Sequence, residues 1–568
     1  MLAFRSVFII CIFSYFLGYA QDLEQIGVKK GIKATGGVSA NQVFYYSDGI
    51  NARRDPYNYF LTGNVNLSLY GISLPFSFSF SNQRFGYGQP FNILGVSPKY
   101  KWVTAHLGWR SMTFSPYTLN GHSFLGAGLE IEPVKKWKTS LMYGRLLKAT
   151  EPDLTFSNRP SYMRIGMGIK TELTGKAGTI GISAFTAKDE VSSISKSLDQ
   201  AGIAPQQNVV IGLSGAKTIQ KLTLNFEAAR SAITTDLRSP LKENAGKSAD
   251  VDFFGKQRTS TAYYNAFKGN ATFQFTKFSI GAGYERIDPN YKTLGAYYFN
   301  NDLRNITGNF STSLFQNKIS FSTNIGGQRD NLDNNKIATM RRLVGSANLG
   351  FTPNQKWNIS LGYSNFQSFA NINPQIKRLT ALTPYDNLDT LNYVQISQSM
   401  QGSVMHILTS TAERNSTVSV SGSLQQSGEK RGESNSAGPT FYNANAAYGL
   451  NFLKMKFNIY AGFNTNISGL AGAKTTFLGP SVGGSKTLWK DKLRTGVGVT
   501  WNNIIVNSVS TSKVWNISQN NTLTLAKKHN VNLNTVYVNM SKPAAGQVSI
   551  YTRAINEVTV TLGYGYTF

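Results

Sequence analysis

A two-residue alternation of apolar and polar side chains recurs along almost the whole chain. In residues 456–465, one face holds Phe457, Ile459, Ala461 and Phe463, and small or polar residues and one tyrosine stand between them. Segments 318–325 and 356–364 repeat the alternation. Successive side chains of a β-strand point to opposite faces, so the pattern predicts strands with one apolar face. These strands run to about ten residues or more, the length a tilted strand needs to cross a bilayer.

Composition excludes the other way of spanning a membrane. Hydrophobic residues make up 41% of the chain and the mean hydropathy is −0.22. After residue 20 no apolar run approaches the ~20 residues that a spanning helix needs. A membrane protein this polar can pair its backbone only in a closed ring of strands, so we expect an all-β fold, a single large antiparallel transmembrane β-barrel.

The chain divides into a leader and one domain. Residues 1–20 have a basic start, an apolar stretch and a small-residue site at Ala20, the pattern of a secretory signal peptide. The single cysteine, Cys11, lies inside it, so disulfides and thiolate metal sites are excluded afterwards. No composition break divides residues 21–568, which we predict to be one outer-membrane barrel without a separate plug domain.

Turn signals give the strand number. Twelve short, mostly basic turns are predicted at 71, 98–100, 133–135, 174–176, 218–219, 276–277, 316–317, 353–355, 412–413, 453–454, 489–490 and 528–529. Longer polar segments lie between them, at 189–205, 231–258, 289–302, 367–391 and 425–438. Twelve hairpins plus one strand at each end (about 33–46 and 554–568) make 26 strands, with 22 to 24 as alternatives. Short periplasmic turns then put both termini in the periplasm.

The predicted strand 72–82 contains Pro75, which cannot donate a ladder hydrogen bond. We therefore expect either a bulge near the barrel seam or an irregular region over the first ~90 residues.

The last residues of the chain resemble the C-terminal strand of bacterial outer-membrane barrels. Val558, Val560, Leu562, Tyr564, Tyr566 and the terminal Phe568 share one face. The resemblance implies that Tyr564, Tyr566 and Phe568 form the signal for the outer-membrane assembly machinery.

A formal net charge of +28 raises the question of nucleic-acid binding. No basic helix, zinc-ligand spacing or RNA-binding signature accompanies the charge, so we predict no nucleic-acid partner. Many lysines fall in the short turns, where they can face the phosphates of membrane lipid and lipopolysaccharide.

A second group of charges falls at polar positions within strands and is predicted to face the lumen. Its members are Arg110, Arg164, Lys170, Lys268, Arg342, Arg494, Glu130, Glu132, Glu227, Glu285 and Glu557. A cationic wall would favour anionic solutes. The same side chains could instead pair with each other and brace the wall, which the presence of both signs favours.

Signals for catalysis are weak. The four histidines form no metal-binding or nucleophile motif, although His106 falls at a lumen position and could in principle serve a serine. Asp386, Asn387 and Asp389 lack the spacing of a calcium loop and suit a turn. We therefore predict no enzyme activity, no metal and no cofactor.

The Ala20-Gln21 junction, the Asn/Lys/Tyr-rich composition and the segment 385–397 are similar to uncharacterised outer-membrane barrels of Bacteroidota. That resemblance implies a location and no activity. A lumen of this size must be closed by infolded loops, for which we expect 231–258 and 367–391, or by a partner protein. Two functional hypotheses follow: a channel or transporter for polar, including anionic, solutes, or a non-conducting subunit or scaffold of an outer-membrane secretion, assembly or surface-anchoring complex.

Overall fold

A computed structural model describes most of the chain after the leader. It covers residues 32–568 except 53, 70–71, 83–92, 153–159, 197, 200–201, 243–256, 298, 337–338, 340, 366–367, 372–392, 397, 428–429, 432–433, 436–437, 471–472 and 542–553. The predicted signal peptide and the segment Asp386–Asp389 therefore lie outside the described residues.

The chain forms one closed antiparallel barrel of 26 strands, which confirms the predicted number. The strands are β1 (Ile32–Asp48), β2 (Tyr57–Leu69), β3 (Ile72–Ser81), β4 (Ile93–Val96 continued by Lys99–Tyr100), β5 (Val103–Thr113), β6 (Asn120–Val134), β7 (Trp137–Leu147), β8 (Met163–Gly175), β9 (Gly178–Glu190), β10 (Gln207–Ile219), β11 (Leu222–Thr234), β12 (Thr261–Gln274), β13 (Phe278–Ile287), β14 (Leu303–Leu314), β15 (Ile319–Arg329), β16 (Arg341–Phe351), β17 (Trp357–Ser364), β18 (Gln398–Ser410), β19 (Arg414–Gln426), β20 (Thr440–Phe452), β21 (Phe457–Leu470), β22 (Ala473–Leu488), β23 (Leu493–Val506), β24 (Val509–Leu525), β25 (His529–Met540) and β26 (Ile555–Thr567).

Each strand pairs with the next in sequence, and β26 closes the ring on β1. The seam runs in one unbroken register from Gly37 opposite Thr567 to Asp48 opposite Asn556. A ring has no unpaired edge, which is the condition for a sheet in hydrocarbon.

Smaller elements lie in the long connections. They are the 3₁₀ helix Val191–Ser193 and two short hairpins, Ser368–Asn371 with Tyr393–Ile396 and Lys430–Arg431 with Ser434–Asn435. In the described part of the chain no helix is long and apolar enough to cross a membrane.

The strand bounds place the twelve short connections at one rim, close to where the sequence predicts them. Two turns lie about two residues later than expected. Lys99 and Tyr100 still pair with β3 and β5, so the turn expected at 98–100 lies at 101–102. Thr218 and Ile219 still pair with β11, so the turn expected at 218–219 lies at 220–221. Connections at the opposite rim are mostly long. Two of them, 471–472 and 507–508, are only two residues, and positive φ angles of 47° at Asn507 and 69° at Ser508 suit a tight hairpin.

Pro75 does not interrupt its own strand. It stands in register opposite Asn66 of β2, and its carbonyl accepts a hydrogen bond from the Ser97 N–H at 2.9 Å. Backbone polar groups of Pro75 therefore face β4, which is interrupted at Ser97–Pro98. The expected bulge is absent from the described pairings of β1 with β2 and of β2 with β3, which run without a register shift. Residues 53, 70–71 and 83–92 of the region expected to be irregular lie outside the described residues.

Side chains alternate between the two faces of the barrel wall. The outer face carries exposed apolar residues at every second position, such as Leu213, Ile306, Val420, Phe463 and Leu562. Polar and small residues occupy the positions between them, which point into the lumen. The apolar belt and the polar interior are the arrangement of a barrel that faces lipid.

Candidate functional site in the barrel lumen

Two connections fold into the lumen and hydrogen-bond to each other. They are residues 114–119, between β5 and β6, and residues 288–297, after β13, which we call the plug loops. The Tyr291 hydroxyl donates to the Tyr117 carbonyl at 2.8 Å, and the Thr293 hydroxyl donates to the Thr118 carbonyl at 2.5 Å. The N–H of Asn120 donates to the Gly295 carbonyl at 2.8 Å. The two loops therefore form one unit.

The plug loops bury apolar side chains against the inner wall. Phe114, Leu119 and Leu294 join one buried cluster, and Tyr117 and Tyr291 join another. The wall contributes residues at lumen-facing positions: Met112, Phe124, Met142, Leu146, Phe185, Ala187, Val210, Ala229, Ile233, Ala266, Ile287 and Leu303. Burial of a large apolar side chain stabilises a folded protein by roughly 1.5–3 kcal/mol. The contact between the plug loops and the inner wall is therefore a hydrophobic core inside the barrel.

Asn208 fastens the second plug loop to β10. Its side-chain amide donates to the Ser231 hydroxyl at 2.8 Å and to the Ala232 carbonyl at 3.1 Å. Its carbonyl oxygen accepts the N–H of Leu294 at 3.1 Å. The Ser231 hydroxyl in turn donates to the Lys292 carbonyl at 2.7 Å. Polar groups of the loop backbone are thus satisfied inside the lumen, as a buried loop requires.

The loops that fill the described lumen are therefore not the two that we predicted. Most of 367–391 and residues 243–256 lie outside the described residues. The described part of 231–258 contacts the neighbouring connection, with the Leu237 N–H donating to the Pro205 carbonyl at 2.8 Å. A signal for the plug loops was present in Phe114, Tyr117 and Leu119, which are too apolar for a six-residue solvated connection.

Three of the predicted lumen charges form a row under the plug loops. Lys268 of β12 stands directly opposite Glu227 of β11 and Glu285 of β13. Glu285 also accepts hydrogen bonds from the Tyr117 hydroxyl at 2.7 Å and from the Asn305 side-chain amide at 3.1 Å. Burial, together with the Glu285 carboxylate, raises the pKa of the Tyr117 phenol. Tyr117 therefore stays protonated and keeps the plug tied to the wall.

Other predicted charges pair locally. Arg164 binds Asp189 with two parallel hydrogen bonds of 2.6 and 2.9 Å, and the Gln206 N–H donates to the same carboxylate. Lys170 lies 3.0 Å from Glu172. Glu130 lies 3.6 Å from Lys138.

The remaining members differ in their surroundings. Arg110 donates to the Ser77 hydroxyl at 2.5 Å, and Glu557 accepts a hydrogen bond from Tyr45 across the seam. Arg494 is exposed, with no carboxylate in salt-bridge range among the residues that the structure covers. The N–H of Glu132 donates to the Trp102 carbonyl. Arg342 of β16 stands opposite Gln328 of β15. The side chain of Arg342 is outside the described part of the structure.

The predicted assembly signal lies beside the barrel seam. The Tyr564 hydroxyl is 2.7 Å from Nδ1 of His529, and the rings of Tyr566 and Phe568 meet edge to face at 5.0 Å. Recognition of these residues by the assembly machinery stays a prediction.

His106 bridges the interruption in β4. Its Nδ1 lies 2.9 Å from the Ser97 hydroxyl, and its Nε2 is buried with no hydrogen-bond partner among the described residues. Within the same residues, no three metal-ligating side chains lie together.

Part of the inner wall from β14 to β21 differs from the charged sector, and we call this part, made of the two rows given next, the neutral wall. Arg342 of β16 lies outside these rows. Two adjacent rows of directly opposed residues cross it. One row is Ser313, Ser320, Gly350, Ser360, Ser403, Ser421, Asn445 and Asn464. The other is Ser311, Ser322, Asn348, Gly362, Gln401, Ser423, Asn443 and Asn466. All of these residues are described and none is charged.

Two cavities lie along the neutral wall, of about 660 and 530 Å³. Both are lined by Ser360 and Gln401, so they adjoin each other. Their lining offers hydroxyl and amide groups that both donate and accept hydrogen bonds. The lumen thus has a packed, charged sector and a neutral, polar sector.

The chain matches no known family model and no curated protein. Among solved structures it is similar to the FrpB iron transporter of Neisseria meningitidis (F5-1 variant), with 11% identity, a TM-score of 0.37, and coverage of 95% of this chain and 83% of that one. It is also similar to the translocation pore of the P pilus usher PapC, with 10% identity, a TM-score of 0.32, and coverage of 94% and 99%. OccAB2 of Acinetobacter baumannii gives 7%, 0.27, and 64% and 92%.

Likenesses at these scores assign no function. The class follows from the molecule itself, because a closed 26-strand ring with an apolar outer face and a polar interior can be stable only in a membrane. The protein is an integral outer-membrane β-barrel.

Proposed function

We propose that the protein is a channel or transporter that carries polar solutes across the outer membrane through its lumen. The observation that supports this most strongly is the division of the inner wall. The plug loops cover the charged sector, whereas the neutral wall carries two cavities whose polar lining is mostly hydroxyl and amide groups, with Lys277 as the one charged residue in the lining of the larger cavity. A polar solute exchanging its hydration for such groups meets no large barrier.

The pairing of lumen charges supports a weak preference between anions and cations. Arg164, Lys170 and Glu130 each have an opposite charge in contact, so they present little net charge to a solute. Selectivity for anions, which the cationic positions of the inner wall suggested, would then depend on Arg494 and on other lumen charges outside these ion pairs. The enclosed ion pairs serve mainly to brace the wall.

Planar-bilayer recording of the purified full-length protein tests this function. We expect discrete current steps, a reversal potential close to zero in a potassium chloride gradient, and uptake of small neutral solutes in liposome swelling. Asn208→Ala removes the hydrogen bonds that fasten plug loop 288–297 to the wall, so its conductance should exceed that of the wild type.

Ser214→Ala is the matched control, because Ser214 lies on the inner face of the same strand and its hydroxyl donates to the Gly181 carbonyl instead of to a plug loop. Its conductance should equal that of the wild type. Absence of both current and solute uptake from the wild type and from Asn208→Ala would overturn the proposal and favour the scaffold hypothesis.

A further inference from the structure

We propose that the neutral wall is a binding track for a neutral oligosaccharide, with Tyr460 as its aromatic platform. This inference rests on the proposed function, since the track would select the solute that crosses the lumen. It names the chemical class of that solute.

The first argument is the chemistry of the two rows. Their sixteen positions hold only serine, asparagine, glutamine and glycine. Hydroxyl and amide groups can donate and accept at once, which matches a ligand whose hydroxyl groups do the same. An ionic ligand would find no counter-charge among these sixteen side chains.

The second argument is hydrogen-bonding capacity that the wall does not use on itself. Some groups pair with each other, such as the Ser360 and Ser403 hydroxyls at 2.7 Å. Oδ1 of Asn464, which lines the smaller cavity, is shielded from solvent and has no partner among the described residues. Rotation of the Asn464 side chain toward the cavity would let this acceptor take a hydrogen bond from a ligand hydroxyl.

The third argument is spacing. Neighbouring strands lie about 4.8 Å apart, so a row of eight opposed residues spans roughly 34 Å of wall. That spacing is close to the length of one sugar ring in a linear chain. Successive rings of an extended oligosaccharide could therefore meet equivalent side chains on successive strands.

The fourth argument is the platform itself. Tyr460 lies on the inner face of β21, four residues along the strand from Asn464. Its ring lies across Gly483, where an added Cβ would stand 2.5 Å from the ring, and its hydroxyl reaches Gly498, where the distance would be 2.8 Å. The glycines let the ring lie flat against the wall, and the side chain remains 41% exposed.

A flat aromatic face with hydrogen-bonding groups beside it suits a sugar ring, which has an apolar face of C–H groups and a rim of hydroxyls. Aromatic rings offer the apolar body for such stacking. No charged side chain stands within the two rows, and Lys277 is the one charged residue that lines the two cavities, so the recognition depends chiefly on shape and hydrogen bonds.

Isothermal titration of the detergent-solubilised full-length protein with maltohexaose tests the proposal. We expect saturable binding, weakened about tenfold or more by Tyr460→Ala. Gly483→Ala, which should lift the ring from the wall, should weaken binding in the same direction. Tyr448→Ala is the control, because Tyr448 is equally exposed at 41% on the adjacent strand but faces lipid.

Sodium citrate and polyethylene glycol of similar size serve as comparison ligands. Binding of citrate that equals or exceeds binding of maltohexaose would overturn the proposal, and so would equal affinities of the wild type and Tyr460→Ala for the sugar. Conductance without sugar binding would refute the track and leave the channel standing. Sugar binding without conductance would support the track and refute the channel.

Discussion

At the scale of single residues, the ion pairs of the barrel differ in how deeply they are buried. Asp189 is only 3% exposed and is held by Arg164 in a two-point ion pair. Arg238 makes comparable contacts with Asp236 and Asp199 at the rim, where solvent reaches all three side chains. The two sites offer the same chemistry in different dielectric surroundings.

Arg164→Leu should strongly destabilise the barrel, because it leaves the Asp189 carboxylate buried without its counter-charge. Loss of one partner of a buried pair costs about 3–5 kcal/mol. Urea unfolding in detergent micelles measures the free energy of unfolding. Arg238→Leu is the control and should change it little, since exposed ion pairs are screened by water. Equal losses in the two variants would contradict this account.

The polar positions of these charges were predictable from alternation, but their partners were not. Glu227, Lys268 and Glu285 occur 41 and 17 residues apart in sequence, and only the register of β11, β12 and β13 brings them side by side. A shift of one residue would reverse the face of every side chain in a strand. Contacts such as Tyr117 with Glu285 depend further on the path of a loop.

At the scale of elements, the plug loops are held by a few directed contacts over an apolar base. The Tyr291 side chain is fully buried, and its hydroxyl satisfies the Tyr117 carbonyl. Burial raises the pKa of Tyr291, so the hydroxyl keeps its proton and its role as a donor at neutral pH. This contact joins the two loops.

Tyr291→Phe should loosen the plug loops without unfolding the barrel. The buried carbonyl of Tyr117 would lose its partner, at a cost of about 1–3 kcal/mol. Hydrogen exchange by mass spectrometry should show faster exchange in 114–119 and 288–297 and unchanged exchange in β20 to β26. Tyr284→Phe, an exposed site on the outer face of the neighbouring strand β13, is the control and should leave exchange in 114–119 as in the wild type.

Strands and turns followed from local sequence far better than loops did. Alternation and turn residues act over two to ten residues, so they located the strands and ten of the twelve turns closely. The plug loops depend on contacts between segments that are 174 residues apart, as for Tyr117 and Tyr291. No local pattern encodes such a meeting, although the apolar residues of 114–119 were a sign of it.

At the scale of the whole molecule, adjacent residues of a strand lie in two different environments, the lipid outside the barrel and the polar lumen inside it. Val420 and Ser421 are neighbours near the middle of β19, and Val420 is 50% exposed on the outer face while Ser421 lines the smaller cavity. One position meets lipid and the next meets the lumen.

Val420→Arg should therefore destabilise the membrane-inserted barrel by about 2–4 kcal/mol, the cost of a cation near the bilayer midplane. Ser421→Arg should cost much less, because its charge faces a polar interior. Unfolding in lipid vesicles measures both. If Ser421→Arg proves the more damaging of the two, the assignment of inner and outer faces would be wrong.

The seam between β1 and β26 has a consequence for biogenesis. Gly37 pairs with Thr567, so the ring is sealed by residues from opposite ends of the polypeptide. A chain that lacks β26 would have two edge strands with unpaired backbone groups, and such edges can pair with other chains. The ring therefore cannot close before β26 is in place, and until then the backbone groups of β1 and β25 that pair with it have no partner strand.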